Sequence, residues 1–255
     1  MYRAFNLKNI QFEKQYEDKL LNKYNQLHLN DCKKIRENIA DFVLSDQSLD
    51  GSALQDAFFP TNFRPDVFIS HSRDDEDFAK AFAQHLEESF GIKSFIDSTV
   101  WGGFYNLQNY LDSYFIKNFK EQGRTYKRSD QYRVISHVHL MLNMALMEMM
   151  NRCEAFFLLN TPQSINIDDL IGDSTYSPWV FSEIGMFHLI EKCETQRTVQ
   201  ESFSARIKQK VDLTDFTVLT NTDLNNWRNK YKEDQSLFFL KNMLALDVLY
   251  DMKPL

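Results

Sequence analysis

The sequence predicts an α/β fold with a parallel sheet and helices on both faces. Three observations carry the prediction. Residues 66–70 and 155–159 are short, continuous apolar runs, as strands buried on both faces are. A helical period separates the first run from a further strand at 92–97, a strand–helix–strand unit of about thirty residues whose two strands must be parallel. Finally, 43% hydrophobic and 25% charged residues over 255 positions is the balance of a globular protein.

Taken in order, the first sixty residues read as a separate helical extension. Phe12, Tyr16, Leu20, Tyr24 and Leu27 recur at helical spacing, and Ile35, Ile39, Phe42 and Val43 form a second apolar face. Neither face can be buried alone, so both are expected to pack on the rest of the chain or on another subunit. The turn-rich SDQSLDGSALQDA, with Pro60 and Pro65 after it, reads as a linker, which divides the chain into 1–60 and 61–255. Asp66–Ser70 is the first strand expected. Ser72 and Asp75 match a capping box, Phe78, Phe82, Leu86 and Phe90 mark the helix, and Gly91 stands where a helix-ending glycine belongs. Residues 92–97 form the second strand. An aromatic, mixed-charge insertion covers 102–133, and a Met-rich helix covers 134–151. Ala155–Leu159 is the third strand, and Ser177-Pro178 opens the next helix with serine as cap and proline at the first turn. Phe216–Leu219 reads as a strand and 223–251 as two helices.

Composition excludes several classes of function. The seven glycines form neither GxGxxG nor GxxxxGK, so a Rossmann fingerprint and a P-loop are absent. A net charge of -7 argues against nucleic acid as partner. No apolar run approaches the ~20 residues of a membrane span, and the charged first fifteen residues do not read as a signal peptide. Cys32, Cys153 and Cys193 are odd in number and widely spaced, which reads as reduced cytoplasmic thiols with no metal site.

In open parallel sheets, ligands bind beyond the carboxyl ends of the strands. Those ends carry Ser70 and His71, Asp97, and Asn160 with Thr161. Polar residues end strands everywhere, so this rim alone is a weak signal. A sharper one lies in the helix after Pro178. Glu183 stands four residues after Trp179 and four before Phe187, on the face of an apolar stripe. A carboxylate among aromatics is costly to desolvate unless it is paired or hydrogen-bonded, and spacing alone leaves open that Glu183 lies at the stripe's edge.

With these residues in view, the chain resembles the Toll/interleukin-1 receptor (TIR) domain family. DVFISHSRDDEDFAKAFAQHLEESFGIKSFID is similar to the family's first strand, helix and second strand, and SPWVFSEIGMF to its WxxxE helix, with Trp179 and Glu183 as the motif residues. The resemblance covers roughly residues 65–192. It implies a flavodoxin-like fold and, for the bacterial antiphage (Thoeris-like) branch, cleavage of the nicotinamide–ribose bond of NAD+ to an ADP-ribose-derived signal. Glu183 is then the catalytic residue, and Ser70, His71, Asp97, Trp101 and Trp179 are the candidate substrate contacts. NAD+ is substrate and no cofactor is implied. Self-association through the TIR domain and a downstream effector that senses the product are the implied partners.

One motif carboxylate suffices for this chemistry. Glycosidases use two, one of them to protonate the leaving group. Nicotinamide is already a cationic pyridinium in NAD+ and departs neutral, so only the developing ribosyl cation needs a carboxylate. His137 and His139 are two apart and cannot form a metal-binding pair on one helix face. Lys117, Lys120, Arg124, Lys127, Arg128 and Arg133 make the insertion basic, suited to a pyrophosphate or simply to solvent. The alternatives are a non-enzymatic TIR scaffold for homotypic assembly and a nucleoside deoxyribosyltransferase-like enzyme.

Overall fold

The computed structural model describes residues 2–28, 42–45, 48–59, 63–101, 104–123, 125–169, 172–175, 177–190, 213, 215–236 and 244–254. The second amphipathic stretch expected near the N-terminus falls largely on 29–41, outside the described residues. The chain divides into two compact units, one of Met1–Gln26, Arg64–Ile96 and Met150–Leu255, the other of Leu27–Phe63 and Asp97–Met149. Both draw on residues either side of the boundary expected near residue 61.

The first unit is α/β. Its sheet has five parallel strands: β1 (Arg3–Lys8), β2 (Val67–Ser70), β3 (Ser94–Ile96), β4 (Ala155–Asn160) and, after a two-stranded hairpin of β5 (Asn166–Asp169) and β6 (Gly172–Ser174), β7 (Phe216–Leu219). The order is β3-β2-β4-β1-β7. Strands expected at 66–70, 92–97 and 155–159 are thus parallel neighbours. The block β3-β2-β4 has the form of the leading 2-1-3 of a flavodoxin-like sheet, and beside it lies β1 rather than the next strand in sequence.

β1 corrects the expectation of a purely helical extension. Its first five residues are buried, yet Arg3 and Asn6 interrupt the apolar pattern that marks a central parallel strand. Arg3 is accommodated by a 2.9 Å hydrogen bond from Nη2 to Thr217 Oγ1 and by the Phe5 and Tyr250 rings, 5.2 and 5.5 Å from its guanidinium carbon. At Asn9 the backbone turns through φ +56, a left-handed conformation that asparagine tolerates, and β1 is over.

Helices cover both faces of the sheet. On one, Phe5, Leu7, Val67, Ile69, Phe157 and Leu159 form a core with α3 (Glu76–Phe90), α8 (Asn221–Ser236) and α9 (Ala245–Met252). Trp227 of α8 stacks on Phe90 at 3.9 Å and donates its indole N–H to the Ala245 carbonyl at 2.8 Å. On the other face, Phe156 meets Phe187 of α7 (Pro178–Leu189), with Phe216 closing the cluster. Gly91 ends α3 at φ +67, as its position predicts, its N–H reaching the Leu86 and Glu87 carbonyls. The capping box is not formed. Ser72 instead donates to the Asp75 carboxylate ahead of a short 3-10 turn (Arg73–Asp75).

Helix α1 (Lys14–His28) packs against α3, as its apolar face requires. Phe12, just before it, contacts Phe78 at 5.5 Å, and Lys23 pairs with Glu88 at 2.6 Å. The Tyr16 hydroxyl lies 3.0 Å from His85 Nδ1. Burial, reinforced by Arg228 and opposed by Glu88, lowers His85 to about 4. The folded state therefore disfavours the imidazolium. This contribution is full above the unfolded value near 6.5 and is lost as pH falls toward about 4, up to about 3 kcal/mol. Thermal melts between pH 7 and pH 4 should show wild type losing stability more steeply than His85→Gln; parallel curves would show that His85 is not the group responsible.

The second unit is helical, with α2 (Gly51–Phe58), α4 (Asp97–Trp101), α5 (Phe104–Glu121) and most of α6 (Arg128–Arg152). The inserted segment is thus a helix and the beginning of another. The buried Asp112 carboxylate accepts from the Tyr126 hydroxyl at 2.7 Å and from Gln131 Nε2 at 3.1 Å, joining α5 to the start of α6. Among the described residues no helix is long and apolar enough to cross a membrane.

Candidate functional site

The chain leaves β2 toward β3 on one side of the sheet, and leaves β4 toward β7 on the other. The carboxyl ends of β2 and β4 therefore flank a topological switch point, the place where open α/β sheets hold ligands. Ser70 ends β2 and Asn160 ends β4. The loops beyond them are tied together. Asp75 accepts from both Ser72 and Thr161, the latter at 2.6 Å. Ser164 donates to the Leu159 carbonyl at 2.6 Å, and Thr175 to the Ser164 carbonyl at 2.6 Å. This chain of hydroxyls leads to Ser177, whose Oγ accepts from the Val180 N–H at 3.3 Å and starts α7 with Pro178 in its first turn.

Helix α7 brings Glu183 against the carboxyl end of β2. Glu183 is 1% exposed, so it lies within the apolar stripe rather than at its margin. The Ser70 hydroxyl, itself fully buried, donates to Glu183 Oε2 at 2.6 Å. Residues 113 positions apart thus meet in one short buried hydrogen bond. Burying a carboxylate is costly, and an interior built for stability alone would be served by an apolar residue here. A polar group fixed at a switch point is instead suited to meeting a cationic centre or a hydroxyl.

The other expected site residues divide. His71 follows Ser70 and is 7% exposed; Trp179, one turn before Glu183 on α7, is half-buried. Asp97 opens α4 and Trp101 closes it, and both belong to the second unit; the Trp101 side chain lies outside the described residues. His137 is exposed, and His139 is half-buried with its value lowered by desolvation. Of the basic residues, Lys120, Lys127 and Arg128 line a separate open cleft of about 580 Å³ in the second unit, with Ile116 and Tyr126. Lys117 approaches Glu121 at 4.0 Å, Arg133 is exposed, and Arg124 lies outside the described residues. Cys153 is buried among apolar groups that push its thiol up, an environment for an inert sulfur; Cys32 and Cys193 lie outside the described residues.

Sequence reasoning missed Asn6. It lies on β1, and a six-residue segment reading RAFNLK offers no strand signal. Comparison of the chain with protein-family models, with curated proteins and with solved structures finds no match.

Proposed function

We propose that the protein is a TIR-type NAD+ glycohydrolase or ADP-ribosyl cyclase that cleaves the nicotinamide–ribose bond at Glu183. The observation that carries this reading is the buried Ser70–Glu183 hydrogen bond at the sheet's switch point. The carboxylate faces the ribosyl cation as nicotinamide leaves, and places negative charge where positive charge develops. Ser70 is the positioning residue, holding one carboxylate oxygen so that little reorganisation is needed in the transition state. Trp179, one turn before Glu183 on α7, and His71, next in the chain after Ser70, are the candidate substrate contacts. The product is an ADP-ribose or its cyclic or conjugated form, in keeping with a signal read by a downstream effector in bacterial antiphage defence, and self-association through this domain accompanies activity.

The test is incubation of concentrated protein with NAD+ and chromatography of the products. Nicotinamide release is expected, and Ser70→Ala should lower it about 10-fold or more, the effect of losing one hydrogen bond to a charged group. Absence of nicotinamide release with turnover of deoxynucleosides would move the assignment to a deoxyribosyltransferase. Absence of both, with concentration-dependent assembly, would leave a scaffold.

A further inference from the structure

Two more polar side chains lie on the sheet face that carries Ser70. Asn6 is the fourth residue of β1 and Asn160 the last of β4, and they are 2% and 8% exposed. Phe5, Leu7, Phe157 and Leu159 alternate into the apolar core on the opposite face, so Asn6 and Asn160 project with Ser70 to the face covered by α7. Asn6 Oδ1 and Asn160 Nδ2 are buried, and neither has a hydrogen-bond partner among the described residues. A buried polar atom without a partner costs stability, and a ligand hydroxyl is one group that would satisfy it.

Strand register sets their spacing. Asn6 is level with Leu158, and Leu158 with Ser70, so the three form one row across β1, β4 and β2. At about 4.8 Å between strands, the backbones of Asn6 and Ser70 are roughly 10 Å apart, and Asn160 stands about 7 Å further toward the carboxyl end. Leu158 stands between Asn6 and Ser70 in that row, so the two polar side chains flank it on the α7 face.

We infer that Asn6 and Asn160 form the polar floor of the Glu183 site and hydrogen-bond the hydroxyls of a ribosyl ligand. The inference rests on the ribosyl chemistry proposed above. An amide both donates and accepts, as a hydroxyl does, and it carries no charge that would offset the field of the carboxylate. Asn6 and Asn160 are binding residues in this account, and the bond-breaking step stays with Glu183.

The experiment compares wild type with Asn6→Leu, Asn160→Ala and Asn160→Ser. It reads KM and kcat for nicotinamide release from NAD+, calorimetric Kd for NAD+ and ADP-ribose, and Tm on the same preparations. Asn6→Leu and Asn160→Ala should each raise KM and Kd about three- to tenfold, the worth of one hydrogen bond, with a smaller change in kcat. Tm should hold or rise, and Asn160→Ser should recover part of the affinity. Wild-type KM and Kd combined with a lowered Tm would make the amides structural and overturn the inference while leaving the hydrolase reading intact. If Asn6→Leu does not fold, the two Asn160 variants decide. A wild type that binds ADP-ribose without cleaving NAD+, with binding weakened in the variants, would uphold the floor and remove the hydrolase. A wild type that neither binds nor cleaves would overturn both.

Discussion

Glu183→Gln should lower nicotinamide release by on the order of 10²-fold or more and leave the protein folded. The substitution keeps size and part of the hydrogen bonding and removes the charge. A carboxylate that stabilises a ribosyl cation contributes through that charge, and loss of one such transition-state group is worth about 3 kcal/mol. Folding survives because Glu183 is 1% exposed, and an amide is less costly to desolvate there than a carboxylate. The Ser70 hydroxyl, 2.6 Å from Oε2, can donate to the amide oxygen in its place. Nicotinamide release and Tm must be measured together. A folded variant with near-wild-type turnover would make Glu183 structural and remove the basis of the proposed chemistry.

The largest effect on stability is expected from Phe5→Ala. Phe5 is fully buried in β1, edge-on to Phe157 at 5.3 Å and stacked with Tyr250 at 6.2 Å. Truncating a phenylalanine in such a place costs about 3–5 kcal/mol through lost burial and the cavity left behind. For a chain of this length that corresponds to roughly 6–20 °C in Tm. An aromatic on a detachable helical extension would instead change stability by about 0.5 kcal/mol or less. A Tm within about 2 °C of wild type would therefore exclude β1 from the centre of the sheet.

The contrast between β1 and the other strands shows where sequence reasoning reaches. VFIS and AFFLLN are read as buried strands because their apolar residues are uninterrupted, and FTVL because it is β-branched and aromatic. Helix α7 is legible down to its serine cap. Arg3–Lys8 is not, because half of its residues are polar and its burial depends on neighbours far along the chain, Ala155–Asn160 on one side and Phe216–Leu219 on the other, with Arg3 bonded to Thr217. The hairpin Asn166–Asp169 and Gly172–Ser174 is hidden for a related reason, being polar and paired only to itself.

At the site, the i, i+4 spacing of Trp179, Glu183 and Phe187 puts the three on one helix face, which follows from helix geometry alone, whereas the burial of Glu183 within the stripe is a feature of the fold. Periodicity of that kind is a relation of a segment to itself, so the α/β class, the β2–α3–β3 unit and the shared face of Trp179, Glu183 and Phe187 are determined by the sequence. Pairing between distant segments is not. That Ser70 meets Glu183, and that β1 brings Asn6 onto the same face, were decided by the tertiary structure. The reason is physical: a strand's neighbour is chosen by hydrogen bonds and burial across the whole sheet, and no local pattern within Arg3–Lys8 encodes that β4 and β7 will flank it.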